Sequence, residues 1–423
     1  MQQPPLHTIT PQVPTLPAPI HLDNGVELNV IPLHTTDLVA ISIMFMGGQW
    51  VQEKRLQSNL AMQQIKSGTA NHTAESLADK LDYYGATIAA DATIHYSFLR
   101  LNCLRRTLPD VLPLFREIIT SPIYEQPLLD NAIEESFLSY QVSEQKVAYV
   151  SKRIFYQQLL GANNPAAQYV DEQAYKAIQR EDLLAYHRQF ITLSNAVMYV
   201  TGKVEGTLIS LINQHLGNIP CGKQQFAMLP SAPIMPSSQK RHETTLNVPS
   251  VQSGLRLGKV MPMPSSADYP AIHLTSVILG GYFGSRLMKN IRERLGFTYG
   301  IGSTFYPIPH SNIFIIATET TREYVERCIE EIKKDMTDMQ QHPITADELD
   351  NARNYMLGQF CRTTETSLSL STLLMHQRAQ GRTLKDLLQE QQEIQNLTPD
   401  DIMQSAQKYF APDELLIAVA HGK

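Results

Sequence analysis

The residues with the clearest chemical potential are Arg292 and Tyr299, which lie seven positions apart in the segment GGYFGSRLMKNIRERLGFTYGIGS, residues 280–303. Arginine carries a permanent charge on a fork of N–H donors, and tyrosine carries a neutral hydroxyl donor on a rigid ring. Both groups suit the binding of an oxygen acceptor. An Arg-x₆-Tyr pair is uninformative by itself, so its meaning depends on the elements that position the two side chains.

The pattern around the pair predicts a helix, a turn and a strand. A helix opens at Gly284-Ser285, Leu295-Gly296 turns the chain, and Thr298-Tyr299 enters a strand. This arrangement can bring two side chains seven residues apart to the same face.

Nearby residues offer other interpretations that the spacing disfavours. Arg286 and Arg294 are expected to form structural ion pairs rather than to join Tyr299. The glycines of the segment GGYFG lack the Lys-Ser/Thr of a P-loop, which excludes a phosphate-binding loop. The absence of GxSxG disfavours a serine hydrolase.

Residues 280–303 resemble the second half of the pitrilysin, insulysin and mitochondrial processing peptidase family. These are zinc peptidases with an inverted His-x-x-Glu-His motif in their first half. The resemblance covers nearly the whole chain, although only this segment carries a specific motif. In active members an Arg and a Tyr donate hydrogen bonds to the substrate carbonyl as it becomes tetrahedral opposite the zinc. The resemblance implies this role for Arg292 and Tyr299.

The zinc motif of that family is degenerate in this chain. Asn59 and Gln63 occupy the positions of the two histidine ligands, and Met62 occupies that of the glutamate base. The family spacing puts the third ligand at Tyr140, while Glu134 and Glu135 would fit only if a gap intervened. Amides are poor zinc ligands beside imidazole, and a thioether cannot accept a proton from water. We therefore expect no metal here.

Other metal sites have little support in the sequence. The 13 histidines form no HxxEH, HExxH or HxxxH motif, and the four cysteines form no CxxC pair. A zinc site built from distant histidines, such as His95 with His187, stays open as an alternative. Cys103, Cys221, Cys328 and Cys361 are expected to be free thiols of a reducing compartment.

An internal repeat predicts the domain organisation. Residues 180–202 and 399–422 each combine an acidic cap, an amphipathic helix and an apolar strand that closes on glycine, with a period of about 220 residues. We predict domains at 1–216 and 242–423, joined by a Pro-rich linker at 217–241. The fold class is α+β, with two homologous domains, each a mainly antiparallel sheet backed by helices, that face each other across a cleft. Helices are expected at 52–67 and, as one continuous pattern, at 126–160.

Composition narrows the remaining classes. The net charge of −6 is spread along the 423 residues, which disfavours nucleic-acid binding. No apolar run approaches the roughly 20 residues of a membrane span, so no membrane insertion is expected. The Pro-rich N-terminus, residues 1–22, lacks the features of a signal peptide, which predicts a cytoplasmic location unless a signal was removed.

These observations favour one function over two others. The first is a non-metal subunit of a heterodimeric zinc endopeptidase, whose partner is a homologous HxxEH subunit that holds the zinc and whose substrate is an unfolded peptide bound as an added strand. The second is a non-catalytic peptide-binding or structural scaffold. The third is a zinc peptidase that acts alone through an unrecognised site. Retention of both Arg292 and Tyr299 favours the first.

Overall fold

The computed structural model describes residue 13 and residues 15–32, 37–223 and 225–423. Most of the Pro-rich N-terminal stretch lies outside these ranges, together with the prediction that it is not a signal peptide. Gln224 of the predicted linker also lies outside them.

The strands and helices are numbered separately in chain order. The strands are β1 (Ile20–His21), β2 (Glu27–Pro32), β3 (Leu38–Met46), β4 (Thr87–Ala92), β5 (Tyr96–Leu104), β6 (Ala196–Gly202), β7 (Arg241–Thr245), β8 (Gln252–Met261), β9 (Thr298–Ile308), β10 (Ser311–Thr321) and β11 (Leu416–His421). The helices are α1 (Gln57–Gln63), α2 (Ala74–Tyr83), α3 (Leu108–Thr120), α4 (Gln126–Ser143), α5 (Val147–Leu160), α6 (Glu172–Ala177), α7 (Arg180–Phe190), α8 (Gly206–Ile212), α9 (Tyr269–Ser276), α10 (Val325–Gln341), α11 (Ala346–Thr364), α12 (Ser367–Ala379), α13 (Leu384–Asn396) and α14 (Pro399–Tyr409).

The strands form two sheets with the same internal order. The first sheet runs β1-β2-β6-β3-β5-β4, and the second runs β7-β11-β8-β10-β9. In each sheet one pair is parallel, β2 with β6 and β7 with β11, and the other pairs are antiparallel. The α+β class with mainly antiparallel sheets is therefore confirmed, and β1 is the strand of the first sheet that has no counterpart in the second.

The repeated helix–strand units begin in the same way. The side chain of Asp182 accepts a hydrogen bond from the backbone N–H of Gln179 (2.8 Å), and Asp401 accepts one from the N–H of Thr398 (2.8 Å). An acid at this position satisfies a free N–H at the start of a helix. The strands that follow, β6 and β11, lie at equivalent central places in their sheets.

The two sheets are joined by helices that cross from one half of the chain to the other. Helix α5 packs against β8 and β11 of the second sheet, whereas α12 packs against β2, β3 and β6 of the first. One apolar cluster includes buried side chains of both helices and both sheets. Because β3 has α12 on one side and the first-half core on the other, its residues are buried on both faces, which explains its unbroken apolar sequence.

Two predicted helices differ from the observed ones. The continuous pattern at 126–160 is wrong, because the chain breaks at residues 144–146 so that α5 can leave the first half and reach the second sheet. The helix expected at 52–67 is shortened to α1. Residues ahead of α1 are held by side chains instead, since Gln57 Oε1 accepts from the N–H of Glu53 (2.9 Å) and Gln52 Oε1 accepts from the hydroxyl of Ser58 (2.9 Å).

The predicted linker at 217–241, between the two sheets, contacts both the first and the second half of the chain. The indole of Trp50 donates to the carbonyl of Pro230 (2.9 Å), and the N–H of Ser237 donates to the carbonyl of Gln158 (2.8 Å). His310 of the second half contacts the carbonyl of Leu229, a buried residue. Within the described ranges no helix is long and apolar enough to cross a membrane.

Because α5 and α12 each pack on the other half of the chain, we expect substitutions of their buried side chains to destabilise the fold most. Leu160→Ala in α5 should lower the free energy of unfolding by about 2–5 kcal/mol, because this side chain is 0% exposed within the cluster that joins the halves. The matched change Leu138→Ala in α4, where the side chain is 55% exposed, should alter it by about 0.5 kcal/mol or less. Urea denaturation followed by circular dichroism measures both, and equal effects would contradict this packing.

Candidate functional site

Arg292 lies on a wide helical turn. Residues Met288–Arg294 form a π-helical turn, and the N–H of Leu295 donates to the carbonyl of Asn290 (3.0 Å). Gly296, with φ +68°, then ends the turn in the left-handed region that glycine adopts without strain. Widened turns of this kind are rare in proteins and occur often at functional sites.

Tyr299 lies in a bulge on the edge strand β9. Thr298 pairs with Thr320 and Ile301 pairs with Thr318, so two residues of β9, Tyr299 and Gly300, oppose one residue of β10. The hydroxyl of Thr298 lies 2.7 Å from the carbonyl of Glu319 on that strand, which ties the bulge to its neighbour. A bulge re-aims the side chain it carries, and Tyr299 is 91% exposed.

The two elements bring Arg292 and Tyr299 together. The guanidinium carbon of Arg292 lies 5.8 Å from the centre of the Tyr299 ring and 4.6 Å from that of Phe283. Such cation–π contacts orient a cation without neutralising its charge. Sequence reasoning missed Phe283, because its contact with Arg292 is a tertiary one.

The neighbouring arginines behave differently from Arg292. Arg286 forms ion pairs with Glu348 (2.7 Å) and Asp338 (2.7 Å), and Arg294 pairs with Glu331 (3.3 Å), as predicted. In the described ranges no carboxylate lies within 4.0 Å of the Arg292 guanidinium. Its N–H groups are therefore available to a ligand.

The glycines of the motif serve packing. A Cβ at Gly280 would lie 2.7 Å from the backbone nitrogen of Ser303 on β9. The hydroxyl of Ser303 donates to the carbonyl of Ser276 (2.7 Å) at the same contact. The absence of a side chain at Gly280 lets α9 and the turn after it approach the strand that carries Tyr299.

The degenerate ligand positions lie on α1, in different environments. Asn59 is exposed, and its Oδ1 accepts hydrogen bonds from Gln49 (3.0 Å) and Ser58 (3.3 Å). Gln63 is also exposed, whereas Met62 is 0% exposed and packs in the first-half core. The residue predicted at the position of the family's catalytic base is thus an apolar core residue.

The predicted third position is part of an aromatic cluster. Tyr140 of α4 stacks on Phe137, with ring centres 6.2 Å apart, and lies 5.6 Å from the ring of Tyr175. Burial, together with the nearby Glu144 carboxylate, raises the pKa of the Tyr140 hydroxyl. Glu134 and Glu135 are exposed on the same helix. Helix α4 contacts α1, so the two helices of the degenerate site are neighbours.

The two histidines considered for an unrelated metal site have separate neighbours. His187 contacts the carbonyl of Ile119 through Nε2 (2.8 Å), and His95 lies near His376. Burial lowers the pKa of both His95 and His187 to about 4, so they are neutral at physiological pH. Throughout the part of the chain that the structure describes, no group of three or more His, Cys, Asp or Glu side chains is arranged to hold a metal ion.

The halves of the expected site are carried by different parts of the fold. The turn with Arg292 packs on β9 and α10, whereas α1 packs on α7, β4 and β5. The Arg/Tyr pair therefore belongs to the second sheet, and the degenerate metal positions belong to the first.

Comparisons with known proteins show similarity to one peptidase family. Residues 177–356 match the family described as "Peptidase M16 inactive domain". The chain is 24% identical over 342 residues to a Helicobacter pylori protein named "Non-peptidase homolog YmxG", covering 79% of this chain and 77% of that one. It is 22% identical over 409 residues to an "Uncharacterized zinc protease" of Rickettsia felis, covering 92% and 94%.

Solved structures show the same fold over the whole chain. The crystal structure of a peptidase M16 inactive domain from Pseudomonas fluorescens matches with a TM-score of 0.84 at 20% identity, covering 96% of this chain and 98% of that one. A protease from Helicobacter pylori matches with a TM-score of 0.82 at 16% identity, covering 97% and 100%. The chain is thus similar to the peptidase M16 family, through the match of residues 177–356 to its inactive domain, and it shares the fold of these solved structures.

Proposed function

We propose that this chain is the non-metal subunit of a heterodimeric zinc endopeptidase. Arg292 and Tyr299 would bind the substrate's carbonyl oxygen as it gains negative charge. One observation carries the proposal: an arginine with no acidic partner in the described ranges lies beside an exposed tyrosine, each on an irregular backbone element. Irregularity of this kind is typical of functional sites.

The chemistry assigned to this chain is charge stabilisation. When water attacks a peptide carbonyl, its oxygen becomes an oxyanion, and fixed donors stabilise it by about 3 kcal/mol each. The guanidinium supplies charge and N–H groups, and the phenol supplies a neutral O–H donor. Phe283 and Tyr299 flank the guanidinium and would limit its motion before substrate binds.

Activation of the water is assigned to a partner. A zinc ion bound by the two histidines of an HxxEH helix would supply the Lewis acid, and the glutamate of that motif would supply the base. In this chain Met62 and Tyr140 fill the corresponding positions with apolar packing. The names of two relatives, "Non-peptidase homolog YmxG" and "Probable inactive metalloprotease YmfF", support a chain that does not hydrolyse peptides by itself.

The edge strand β9 supports the proposed class of substrate. β9 is the last strand of its sheet, and Tyr299 is exposed at its start. An extended peptide that hydrogen-bonds to a sheet edge is held through its backbone, so many sequences are accepted. An unfolded peptide is therefore the proposed ligand.

A non-catalytic scaffold is the second candidate. The aromatic cluster of Phe137, Tyr140 and Tyr175 favours it, because these packed rings occupy the region where the third zinc ligand is predicted. A scaffold has no use for a free arginine beside a tyrosine, so substitutions at these two residues separate the candidates.

The first prediction concerns Tyr299. In a complex with an HxxEH-bearing partner chain, Tyr299→Phe should lower kcat by roughly 10²-fold with KM little changed, because one donor to the oxyanion is lost. Tyr83→Phe, at another exposed tyrosine, is the matched control and should have no effect. Full activity of the Tyr299→Phe complex would leave the scaffold as the better account.

The second prediction concerns Arg292. Arg292→Ala should lower kcat by a similar factor, while Arg294→Ala should not, since Arg294 is engaged by Glu331. The double variant Arg292→Ala/Tyr299→Phe should lose less than the product of the single effects, because both donors act on one charge. Steady-state kinetics of the wild-type complex, the three single variants and the double variant measures this, and equal losses for the two arginines would count against the assignment.

The third prediction concerns metal content. The purified chain, after dialysis against metal-free buffer, should contain far less than one zinc per molecule by elemental analysis and should not cleave a peptide. The physical reason is the absence of imidazole or carboxylate at Asn59, Gln63 and Tyr140. One tightly held zinc per chain would refute the division of roles between two subunits.

A further inference from the structure

A second group of cationic and hydroxyl side chains lies where α5 crosses the second sheet. Arg256 of β8 donates from Nη1 to the carbonyls of Leu255 (2.9 Å) and Thr318 (3.2 Å), and from Nη2 to that of Ala148 (3.3 Å). All three acceptors are neutral. A guanidinium has five N–H donors, so two remain for another acceptor.

Lys152 lies one turn along α5 from Ala148, beside the same arginine. Its Nζ lies 6.0 Å from the ring centre of Tyr156. Lys152 is exposed overall, but partial desolvation of its ammonium, and then the Arg256 cation, lower its pKa, and burial lowers the pKa of Arg256. In the described part of the chain no carboxylate lies within 4.0 Å of either cation, and Glu319 acts on Arg256 only at longer range. Two neighbouring cations that form no ion pair within 4.0 Å in the described ranges, with Glu319 attracting Arg256 only from farther away, can still attract an anion.

Tyrosine hydroxyls complete this group. The rings of Tyr156 and Tyr306 meet edge to face with centres 5.7 Å apart, and the hydroxyls of Tyr156 and Tyr169 interact electrostatically with Arg256. Burial raises the pKa of all three tyrosines, so each hydroxyl keeps its proton at neutral pH. Each is a donor, and none has a hydrogen-bond partner among the described residues.

The register of the strands places this group close to Tyr299. Arg256 pairs with Ala317, and Ala317 pairs with Gly302, so these three residues share one face of the sheet. The two residues beside Arg256 on this face have a small side chain or none. Gly302 is three residues from Tyr299 on β9, roughly 10 Å at about 3.3 Å per residue. A peptide that reaches Tyr299 therefore passes within side-chain reach of this face.

We propose that Lys152 and Arg256, together with the hydroxyls of Tyr156 and Tyr306, form a subsite that binds a carboxylate of the peptide. The carboxylate is either an Asp or Glu side chain or the peptide's C-terminus. This inference rests on the proposed function in one respect, that the ligand is a peptide. It adds a selectivity for acidic peptides that the Arg/Tyr pair does not supply.

Peptide binding to the full chain alone tests the subsite. Fluorescence anisotropy would compare an extended labelled peptide, whose only carboxylates are one Glu and a free C-terminus, with its Glu→Gln form, its C-terminal amide and the form with both changes. Loss of the carboxylate that binds should weaken affinity about tenfold, as for a hydrogen bond to a charged group. If the Glu→Gln peptide binds more weakly, the bound carboxylate is the Glu side chain; if the C-terminal amide binds more weakly, it is the C-terminus. Added salt should weaken the binding of the acidic peptide.

Variants of the chain test whether the preference for the acidic peptide arises from this group of side chains. Lys152→Gln should abolish the preference for the acidic peptide, whereas Lys385→Gln, at an exposed lysine of α13 outside the group, should preserve it. Thermal melting confirms that each variant is folded. Tyr306→Phe, at a partly exposed residue, is a second variant that should weaken the same preference.

Two results would overturn the subsite: equal or undetectable binding of all four peptides, or an unchanged preference in folded Lys152→Gln. Arg292→Ala should retain the preference, because that residue lies outside the group. If the chain shows no carboxylate preference but Tyr299→Phe still lowers the kcat of the complex, only the subsite is refuted. If the chain prefers the acidic peptide but the Tyr299→Phe complex is fully active, only the catalytic role of Tyr299 is refuted.

Discussion

The fold depends on a reciprocal exchange of two helices. Helix α5 leaves the first half to cover β8 and β11, and α12 leaves the second half to cover β2, β3 and β6. Each crossing also has a polar contact, from Arg100 to Thr372 (2.8 Å) in one case and from Arg256 to the Ala148 carbonyl (3.3 Å) in the other. Neither sheet can bury its second face without the other half, so the relative position of the two sheets is set by core packing.

In the proposed function, this fixed frame holds one part of a peptidase site, while the residues predicted at the other part have structural roles. On the second sheet, the π-helical turn and the bulge hold Arg292 beside Tyr299 with its charge unpaired in the described ranges. On the first sheet, Met62 is buried in the core and Tyr140 stacks with aromatic neighbours. A hydrophobic core and an aromatic stack stabilise the fold, and neither can bind zinc or activate water.

Several features could be predicted from the sequence because they depend on local patterns. The repeat at 180–202 and 399–422 predicted the paired helix–strand units, and spacing together with the family resemblance separated Arg292 from the ion-paired Arg286 and Arg294. The break at residues 144–146 could not be predicted, since it arises from the crossing of α5 to a distant sheet. Phe283 and the bulge at Tyr299 were missed for the same reason: contacts with Arg292 and the register with β10 are tertiary.

The central claim is that this chain and a zinc-bearing chain each supply part of one active site. The most direct measurement is peptide cleavage while an HxxEH-bearing chain at fixed concentration is titrated with this chain. The account predicts negligible cleavage by either chain alone, a rise in rate on mixing, and saturation at equal amounts of the two. A zinc-bearing chain that is fully active alone, with no gain on mixing, would contradict it.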